Sequence, residues 1–438
     1  MAISRHRLIE ILHFTGMSML VISVLAGRIT LSRILPVNDA LGRIEVAEYL
    51  LFAALLIAGG LVVAGQIRIR FSARTIIVLS AVLFFLLSVI GIDAFAHRSV
   101  DMLLLDEIGR VLLTVAALFL FLNSDHRFNQ ILAIIVAVGL TITVGDFVGW
   151  RLQRLQLITG LSTSRINLFV LGAAITLYIG TNRAIWLAAI LISIFTLFSG
   201  SMKISMVAAA AATCILVFTL LSAYRFLDTA KISSAILAGI VLSVITGDIN
   251  NTLSRVEVVN LAASSAMISS IATADIDPEA AAKCQGTQAP LYCMNPFLII
   301  SDSTERLRLF AHAITLIKTA PLLGSGPNAF QLSLWYKTSD QSSLNVYVYP
   351  HNLLLDIGVT HGLVGMACLL ILLSVCLVII LSTFAETLAS VGLLVAAASS
   401  FVAALTGGDF YDSRYIYICA MLAAFGAFKS VETAAARH

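Results

Sequence analysis

The residues best suited to chemistry are two arginines and a histidine near the end of one long polar segment, residues 248–350. Arg306 and Arg308 lie late in this segment, and His351 follows it directly. The planar guanidinium of arginine binds phosphate or diphosphate through paired hydrogen bonds, and it keeps its charge near lipid. Taken alone, His351 is more simply explained as a polar residue where a helix meets the membrane interface. The segment therefore has the residue types that bind an anionic ligand.

The composition restricts the kind of protein that can present these residues. Of 438 residues, 59% are apolar and only 12% are charged, with a mean hydropathy of +0.99. Soluble domains carry about 25% charged residues. A chain with so few charges cannot cover a water-facing surface, which excludes a soluble enzyme, a disordered interaction protein and a nucleic-acid binder. The net charge of +3 is also too small to indicate a polyanionic partner.

Apolar runs long enough to span a membrane account for most of the chain. A spanning helix needs about 20 mostly apolar residues. We predict about twelve such helices, at 8–26, 47–66, 75–93, 103–122, 130–150, 166–182, 184–199, 203–223, 230–247, 352–382, 387–405 and 413–430. The chain then divides into about nine N-terminal transmembrane helices (1–247), a loop (248–350) and about three C-terminal helices (351–438). The predicted fold is an all-α polytopic membrane protein.

The loop itself is expected to contain helices that lie on the membrane surface. Connections of this length are usually functional or disordered. Leu307, Phe310, Ile314 and Ile317 recur at helical spacing, which predicts one apolar face on an amphipathic helix.

Two observations place this loop outside the cytoplasm. Counted over short links, eleven basic residues lie on the side of the termini and nine on the side of the loop, which favours cytoplasmic termini. Cys284 and Cys293 are the loop's cysteines, whereas the other four lie in apolar runs. A cysteine pair in a polar loop favours a disulfide in an oxidising compartment, with free thiols as the alternative.

With this orientation, basic residues occur in outer links, where the positive-inside rule disfavours them. For any one of them, reaching toward lipid headgroups is the simpler explanation. As a group, and with Arg306 and Arg308, they indicate an outer-face site for an anionic ligand. The nine are Arg28, Arg33, Arg43, Arg98, Arg151, Arg154, Arg165, Lys203 and Arg414.

The end of the loop carries an ordered set of motifs. Residues 306–310 read Arg-Leu-Arg-Leu-Phe, and 321–330 read Pro-Leu-Leu-Gly-Ser-Gly-Pro-Asn-Ala-Phe. His351-Asn352 then begins the next apolar run, and Gly-Leu-Val-Gly follows at 362–365. In this order and spacing the sequence resembles the O-antigen ligase and O-antigen polymerase family of polytopic glycosyltransferases. The resemblance is close over about 75 residues and otherwise rests on the architecture of about twelve helices with a large, late, periplasmic loop.

Two positions depart from the family pattern. An acidic residue often lies two positions before the first glycine of the Gly-Leu-x-Gly motif, and here Thr360 occupies that position. The family also tends to have a Ser-Arg pair on an earlier outer turn, whereas here Ser201 is followed by Met202 and then Lys203. Lysine would offer a point charge in place of a bidentate fork.

The resemblance implies how each residue would act. His351 would be the general base. Arg306, Lys203 and Arg165 would hold the diphosphate of an undecaprenyl diphosphate donor, with Asn352 also in the site. Arg308 would be a secondary contact or a solvated charge.

The two loop glycines and an Asp-x-Asp sequence each have two interpretations. Gly324 and Gly326 most simply permit positive φ in a tight turn, and a diphosphate-binding nest is the sharper alternative. The resemblance suggests no metal, no nucleotide and no other cofactor. Asp275-Ile276-Asp277 has the Asp-x-Asp form of metal-dependent transferases, but such spacing is frequent by chance.

The expected function is therefore a ligase that transfers a glycan to lipid A-core at the periplasmic face of the bacterial inner membrane. A polymerase that extends a growing carrier-linked glycan is the alternative within the family. A flippase or secondary transporter would predict repeated halves and broken helices near the midplane, and a non-catalytic assembly factor would tolerate loss of His351. Expected partners are the lipid-linked donor, the acceptor and membrane lipids, but not nucleic acid.

Overall fold

Helices account for nearly all of the chain that the structure describes. The computed structural model describes residues 4–26, 45–67, 69–97, 101–123, 128–151, 160–199, 226–246, 302–327, 329–330, 350, 352–386, 390–407, 410 and 413–435. Within these ranges there are helices and turns but no strand. The described chain is therefore all-α, as the composition predicts.

Twelve helices lie within the described residues. They are α1 (Arg5–Ala26), α2 (Val46–Val63), α3 (Ala73–Ile92), α4 (Met102–Leu122), α5 (Phe128–Arg151), α6 (Gly160–Thr181), α7 (Ala184–Ser199), α8 (Phe226–Ile245), α9 (Asp302–Thr319), α10 (Leu353–Glu386), α11 (Val391–Gly407) and α12 (Arg414–Ala435). At its C-terminal end α3 continues into a single π-helical turn, Asp93–His97.

Every predicted span other than 203–223, which lies outside the described residues, coincides with one of these helices. Six of them contain a stretch long and apolar enough to cross a membrane: His6–Leu25, Val46–Val63, Ala73–His97, Phe128–Val148, Leu227–Ile245 and Leu353–Thr383. The protein is therefore a multi-pass membrane protein. The total of twelve spans and the periplasmic position of the loop stay predictions.

Inter-helix contacts give the directions of neighbouring helices. Ser23, late in α1, donates a hydrogen bond to the carbonyl of Ala47 at the start of α2, so this pair is antiparallel. In contrast, Ser199 and Ser243 lie at the C-terminal ends of α7 and α8, and their hydroxyls are 3.2 Å apart. Helices α7 and α8 therefore run parallel.

Two helices form the centre of the bundle. From Arg165 to Ile179, α6 is buried on all sides, and so is α12 from Tyr415 to Phe425. The ring of Phe169 on α6 lies 4.9 Å from the ring of Tyr415 on α12. A helix that is apolar all round belongs in an interior, whereas α10 exposes one apolar face along much of its length. The loop-side ends of α6 and α12 are thereby fixed within the bundle.

Candidate active site

The site begins with an interruption in the helix that follows His351. Within α10, Gly362 has φ 66° and ψ −163°, a conformation outside the helical region. The helix therefore consists of a short first segment, from Leu353 to His361, and a long second segment that starts at Leu363. In a membrane, such a break is tolerated only where other groups satisfy the freed backbone amides and carbonyls.

The turn at the end of the loop satisfies these groups. We call residues 320–326 the Gly324 turn. Four backbone hydrogen bonds join it to α10: Ser325 N to Val359 O (2.7 Å), Gly326 N to Thr360 O (3.1 Å), Leu363 N to Pro321 O (2.8 Å) and Val364 N to Leu322 O (3.1 Å). An unbroken helix would have paired the amides of residues 363 and 364 with the carbonyls of 359 and 360. The turn thus replaces both lost donors and both lost acceptors, which explains why the break is stable.

This arrangement requires glycine at two facing positions. Gly324 has φ +78°, and a Cβ on it would lie 2.4 Å from the carbonyl oxygen of Thr360. A Cβ on Gly362 would lie 2.4 Å from the carbonyl of Leu322. Only residues without a side chain allow two backbones to approach this closely. The glycines of the two sequence motifs are therefore structural partners.

The helix that carries the arginines leads directly into this turn. Leu309 and Ala313 of α9 are buried together with Phe330 and with Val359 of α10, and Leu316 and Ile317 pack against them. Of the residues predicted on the apolar face, Ile317 packs against this cluster, whereas Ile314 is 45% exposed. The face of α9 that is buried is the one that α10 and Phe330 cover.

Asn352 fixes the start of α10. Its side-chain oxygen accepts a hydrogen bond from the amide of Leu355 at 3.0 Å, which is the geometry of a helix N-cap. Its side-chain amide donates to the carbonyl of Leu405 at 2.7 Å, near the end of α11. The residue directly after His351 therefore anchors that point of the chain to a second helix.

A buried acidic residue connects the Gly324 turn to the rest of the bundle. Oδ1 of Asp93 lies 3.1 Å from Nε2 of His361 and 3.3 Å from Nδ1 of His97. The contact with His361 has the distance of an ion pair but poor hydrogen-bond alignment. Asp93 Oδ2 accepts the amide of Asp101 at 2.7 Å, and Nε2 of His97 lies 3.3 Å from the carbonyl oxygen of Gly324. We call Asp93, His97 and His361 the Asp–His cluster.

Sequence reasoning missed two of these three residues. His361 lies about ten residues into an apolar run, which predicts a residue hydrogen-bonded within the bundle, whereas no sequence motif includes Asp93 or His97. A signal was present, because an aspartate and a histidine four residues apart end an otherwise apolar run. Ionisable residues at membrane depth are functional candidates by default.

Two further arginines are buried at the same end of the bundle. Arg165 lies in the first turns of α6, and Arg414 begins α12. Nε of Arg414 donates to the carbonyl of Val24 at 2.9 Å, and its guanidinium lies 4.6 Å from the centre of the Tyr415 ring. Because Tyr415 packs on Phe169, one turn beyond Arg165, the two arginines flank the same aromatic pair. Both lie on the side where α10 begins.

Arg110 forms a separate cluster with three carboxylates. Its guanidinium contacts Glu45, lies 2.5 Å from Oε1 of Glu48 and lies 2.7 Å from Oδ2 of Asp106. The sequence predicts the pair Asp106–Arg110, and the structure confirms it. The two glutamates come from α2 and the chain just before it, so they could not be paired from local spacing.

The other candidates divide into described and undescribed residues. Gly324, Gly326 and Asn352 lie around the first segment of α10, and Arg165 lies at the same end of α6. The remaining candidates lie outside the residues that the structure describes. They are Lys203, His351, Cys284 and Cys293, together with the side chains of Arg306 and Arg308, whose backbone belongs to α9. Among the residues that are described, no group of histidine, cysteine and acidic side chains could hold a metal ion.

These features define a class: a multi-pass, all-α membrane protein in which a polar loop inserts a turn into a broken helix near one end of the bundle. Comparison with known families makes this more specific. Residues 168–370 match the family model described as O-antigen ligase. This match covers a little less than half of the chain, includes the loop motifs and supports their resemblance to that family. A search of curated proteins gave no match.

Proposed function

We propose that the protein is a glycosyltransferase of the O-antigen ligase type. It takes a glycan from undecaprenyl diphosphate and transfers it to lipid A-core at the periplasmic face of the inner membrane. The observation that carries this proposal is the family match, which runs from α6 through the Gly362 break and includes α9 and the Gly324 turn. The match therefore covers α9, the Gly324 turn and the first segment of α10, whereas Arg165, Asp93 and His97 lie before it in the chain.

The candidate residues suit the chemistry of glycan transfer. His351 takes the proton from the acceptor hydroxyl as its oxygen attacks the anomeric carbon of the donor sugar. The bond between that carbon and the diphosphate oxygen breaks, and undecaprenyl diphosphate leaves with the electron pair. Arg306, with Arg165 and Lys203, stabilises the charge that develops on the leaving group. Arg308, two residues from Arg306, is a secondary contact. The amides of Gly324, Ser325 and Gly326 already donate to the carbonyls of Ala320, Val359 and Thr360, so these residues contribute through the position of the turn.

Two helical segments extend from the Gly324 turn toward the parts of the chain that carry Arg306 and His351. Helix α9 extends about 20 Å from Arg306 to Thr319. The first segment of α10 extends about 14 Å from Leu353 to Gly362. Since the Gly324 turn joins the C-terminal end of α9 to the Gly362 break, these two helical segments leave one fixed point. Arg306 belongs to the first segment, and His351 directly precedes Asn352, the N-cap of the second, in the sequence. This supports a shared site in which Arg306 covers the loop-to-helix junction at His351.

The test is complementation of bacterial strains that lack either the O-antigen ligase or the O-antigen polymerase. We expect the wild-type protein to restore attachment of glycan to lipid A-core in the ligase-null strain. His351→Ala, at equal abundance in the membrane, should abolish this attachment. Restored chain length in the polymerase-null strain would instead identify the protein as a polymerase of the same family.

A matched control is available on the first helix. His6 is largely exposed near the start of α1, at the end of the bundle opposite to the Gly324 turn. His6→Ala should complement as well as the wild type does. The proposal is wrong if neither strain is complemented by an abundant wild-type protein, and the catalytic assignment is wrong if His351→Ala complements fully.

A further inference from the structure

One buried carboxylate connects four separate segments of the chain. Asp93 belongs to the π-helical turn after α3, and its carboxylate accepts the amide of Asp101 just before α4. It also contacts His361 on α10 and His97 on its own turn. Through His97 the contact extends to the carbonyl of Gly324. The Gly324 turn is therefore linked to Asp93 through the imidazole of His97, in addition to its four backbone hydrogen bonds to α10.

The cluster sits within a closely packed interior. Asp93 and His361 are both 0% exposed. Burying an ionised group is unfavourable unless it is paired and hydrogen-bonded. Apolar residues of the same volume often stabilise a core as well as a buried ion pair does, so stability alone does not account for these three residues. A buried ionic group can instead select one arrangement of the segments it joins.

The geometry of His97 identifies the arrangement that is selected. Its Nδ1 faces a carboxylate oxygen of Asp93, and its Nε2 faces the carbonyl oxygen of Gly324. Both neighbours are hydrogen-bond acceptors, so the ring can donate to either of them from the nitrogen that carries its proton. Gly326 adds a steric restraint, since a Cβ there would lie 3.1 Å from Cδ2 of His97. The histidine is thus held between the carboxylate and the turn.

The π-helical turn places these residues where the contact can form. Asp93 and His97 stand four residues apart at the end of α3, next to the first segment of α10. Single π turns within α-helices often occur at functional sites. Here the turn presents both polar side chains to the Gly362 break.

We propose that Asp93, His97 and His361 are positioning residues that seat the Gly324 turn on the Gly362 break. They thereby set the distance between α9, which carries Arg306, and the start of α10, which follows His351 and Asn352 in the sequence. This inference rests on the proposed function for its consequence in catalysis. The seating of the turn is a property of the fold and can be measured without any assay of activity.

The first experiment measures amide hydrogen exchange in the full-length protein in detergent micelles. The reporters are the four amides that join the Gly324 turn to α10. We expect Asp93→Asn to accelerate their exchange by at least about tenfold, because the amide cannot hold both imidazoles as the carboxylate does. Peptides from α6 should exchange as in the wild type. Unchanged exchange of the four amides in Asp93→Asn overturns the proposal.

Two substitutions of His97 distinguish a hydrogen bond to the Gly324 turn from an effect of side-chain volume. The side-chain nitrogen of glutamine can reach the position of Nε2, which faces Gly324, whereas that of asparagine reaches only the position of Nδ1, which faces Asp93. We expect His97→Gln to keep the four amides protected and His97→Asn to lose their protection. Equal exchange in the two variants, or the opposite order, overturns the proposal. This pair also replaces Asp93→Asn if that variant does not fold.

The second experiment measures glycan transfer in membrane vesicles supplied with an undecaprenyl-diphosphate-linked glycan. His97→Asn should lower kcat/KM by at least about tenfold, and His97→Gln should retain most of it. His13, a buried histidine on α1 that packs against Phe121, provides the control, and its Gln and Asn variants should not differ in kcat/KM. If the wild type transfers no glycan, the proposed function is wrong. The exchange experiment still tests whether the Asp–His cluster holds the Gly324 turn against the Gly362 break. If the wild type is active and both His97 variants match it, the positioning role is wrong.

Discussion

The Asp–His cluster and the Arg110 cluster lie at the same end of the bundle but differ in burial and in charge. In the first, Asp93 and His361 are fully buried and contact a backbone turn. In the second, the guanidinium of Arg110 is 15% exposed, and Glu48 and Asp106 are about half exposed. One acidic group faces two histidines in the first cluster, whereas one basic group faces three carboxylates in the second.

This difference indicates what each cluster does for the fold. A buried ionic group is strongly coupled to its neighbours, and removing one partner leaves an uncompensated charge or an empty polar site. Exposed ion pairs gain little, because water and salt screen them and long side chains lose entropy. We therefore expect the Asp–His cluster to determine the position of the Gly324 turn and the Arg110 cluster to contribute modestly to the packing of α2 against α4.

The largest effect is expected for Asp93→Ala. This change removes the group that two histidines and the amide of Asp101 share, and breaking such a buried arrangement costs about 3–5 kcal/mol. The free energy of unfolding can be measured by SDS titration in mixed micelles at low and high salt. The loss should be similar at both salt concentrations because buried charges are weakly screened. A loss below about 1 kcal/mol would mean that the cluster is not a strong contact.

Gly324→Ala should have the next largest effect. The alanine would adopt a positive φ, and its Cβ would displace the backbone around Thr360, with a combined loss of about 2–3 kcal/mol. Gly145→Ala on α5 is the matched control, since nothing lies within 4 Å of a Cβ there. That control should be neutral or stabilising by up to about 1 kcal/mol. Equal behaviour of the two variants would contradict the close approach of the turn to α10.

Arg110→Met should have a smaller effect that depends on salt. The change leaves three carboxylates together, and we expect a loss of about 1–2 kcal/mol in dilute buffer. Near 1 M salt the Debye length falls to about 3 Å, so most of this loss should disappear. A salt-independent loss would show that Arg110 acts as a buried group and would remove the contrast with Asp93.

The smallest effect is expected for Glu48→Gln. The side chain is 44% exposed, and two other carboxylates still face Arg110 after the change. The unfolding free energy should change by less than about 1 kcal/mol, and complementation should match the wild type. Loss of complementation at normal abundance would instead indicate that this cluster takes part in function.

The sequence motifs predict a candidate site but do not reveal how the motifs fit together. The Pro-Leu-Leu-Gly-x-Gly and Gly-Leu-x-Gly motifs stand about forty residues apart, and each alone predicts only a backbone with positive φ. That they satisfy one another's hydrogen bonds is a property of the assembled helices. The same holds for α9, where periodicity predicts an amphipathic helix but not which face is covered. Ile314, on the predicted apolar face, is exposed, whereas Leu309 and Ala313 are buried.

The sequence by itself determined that the protein is helical and resides in a membrane, because a run of apolar residues has no other stable arrangement in lipid. Its ordered motifs over residues 306–365 also indicated the resemblance to the O-antigen ligase family, which the family model supports over residues 168–370. Only the tertiary structure decided that Asp93 and His97 reach the Gly324 turn, and that α10 breaks where this turn completes its hydrogen bonds. These contacts join residues far apart in the chain, and local spacing carries no information about which distant backbone will supply a missing donor or acceptor.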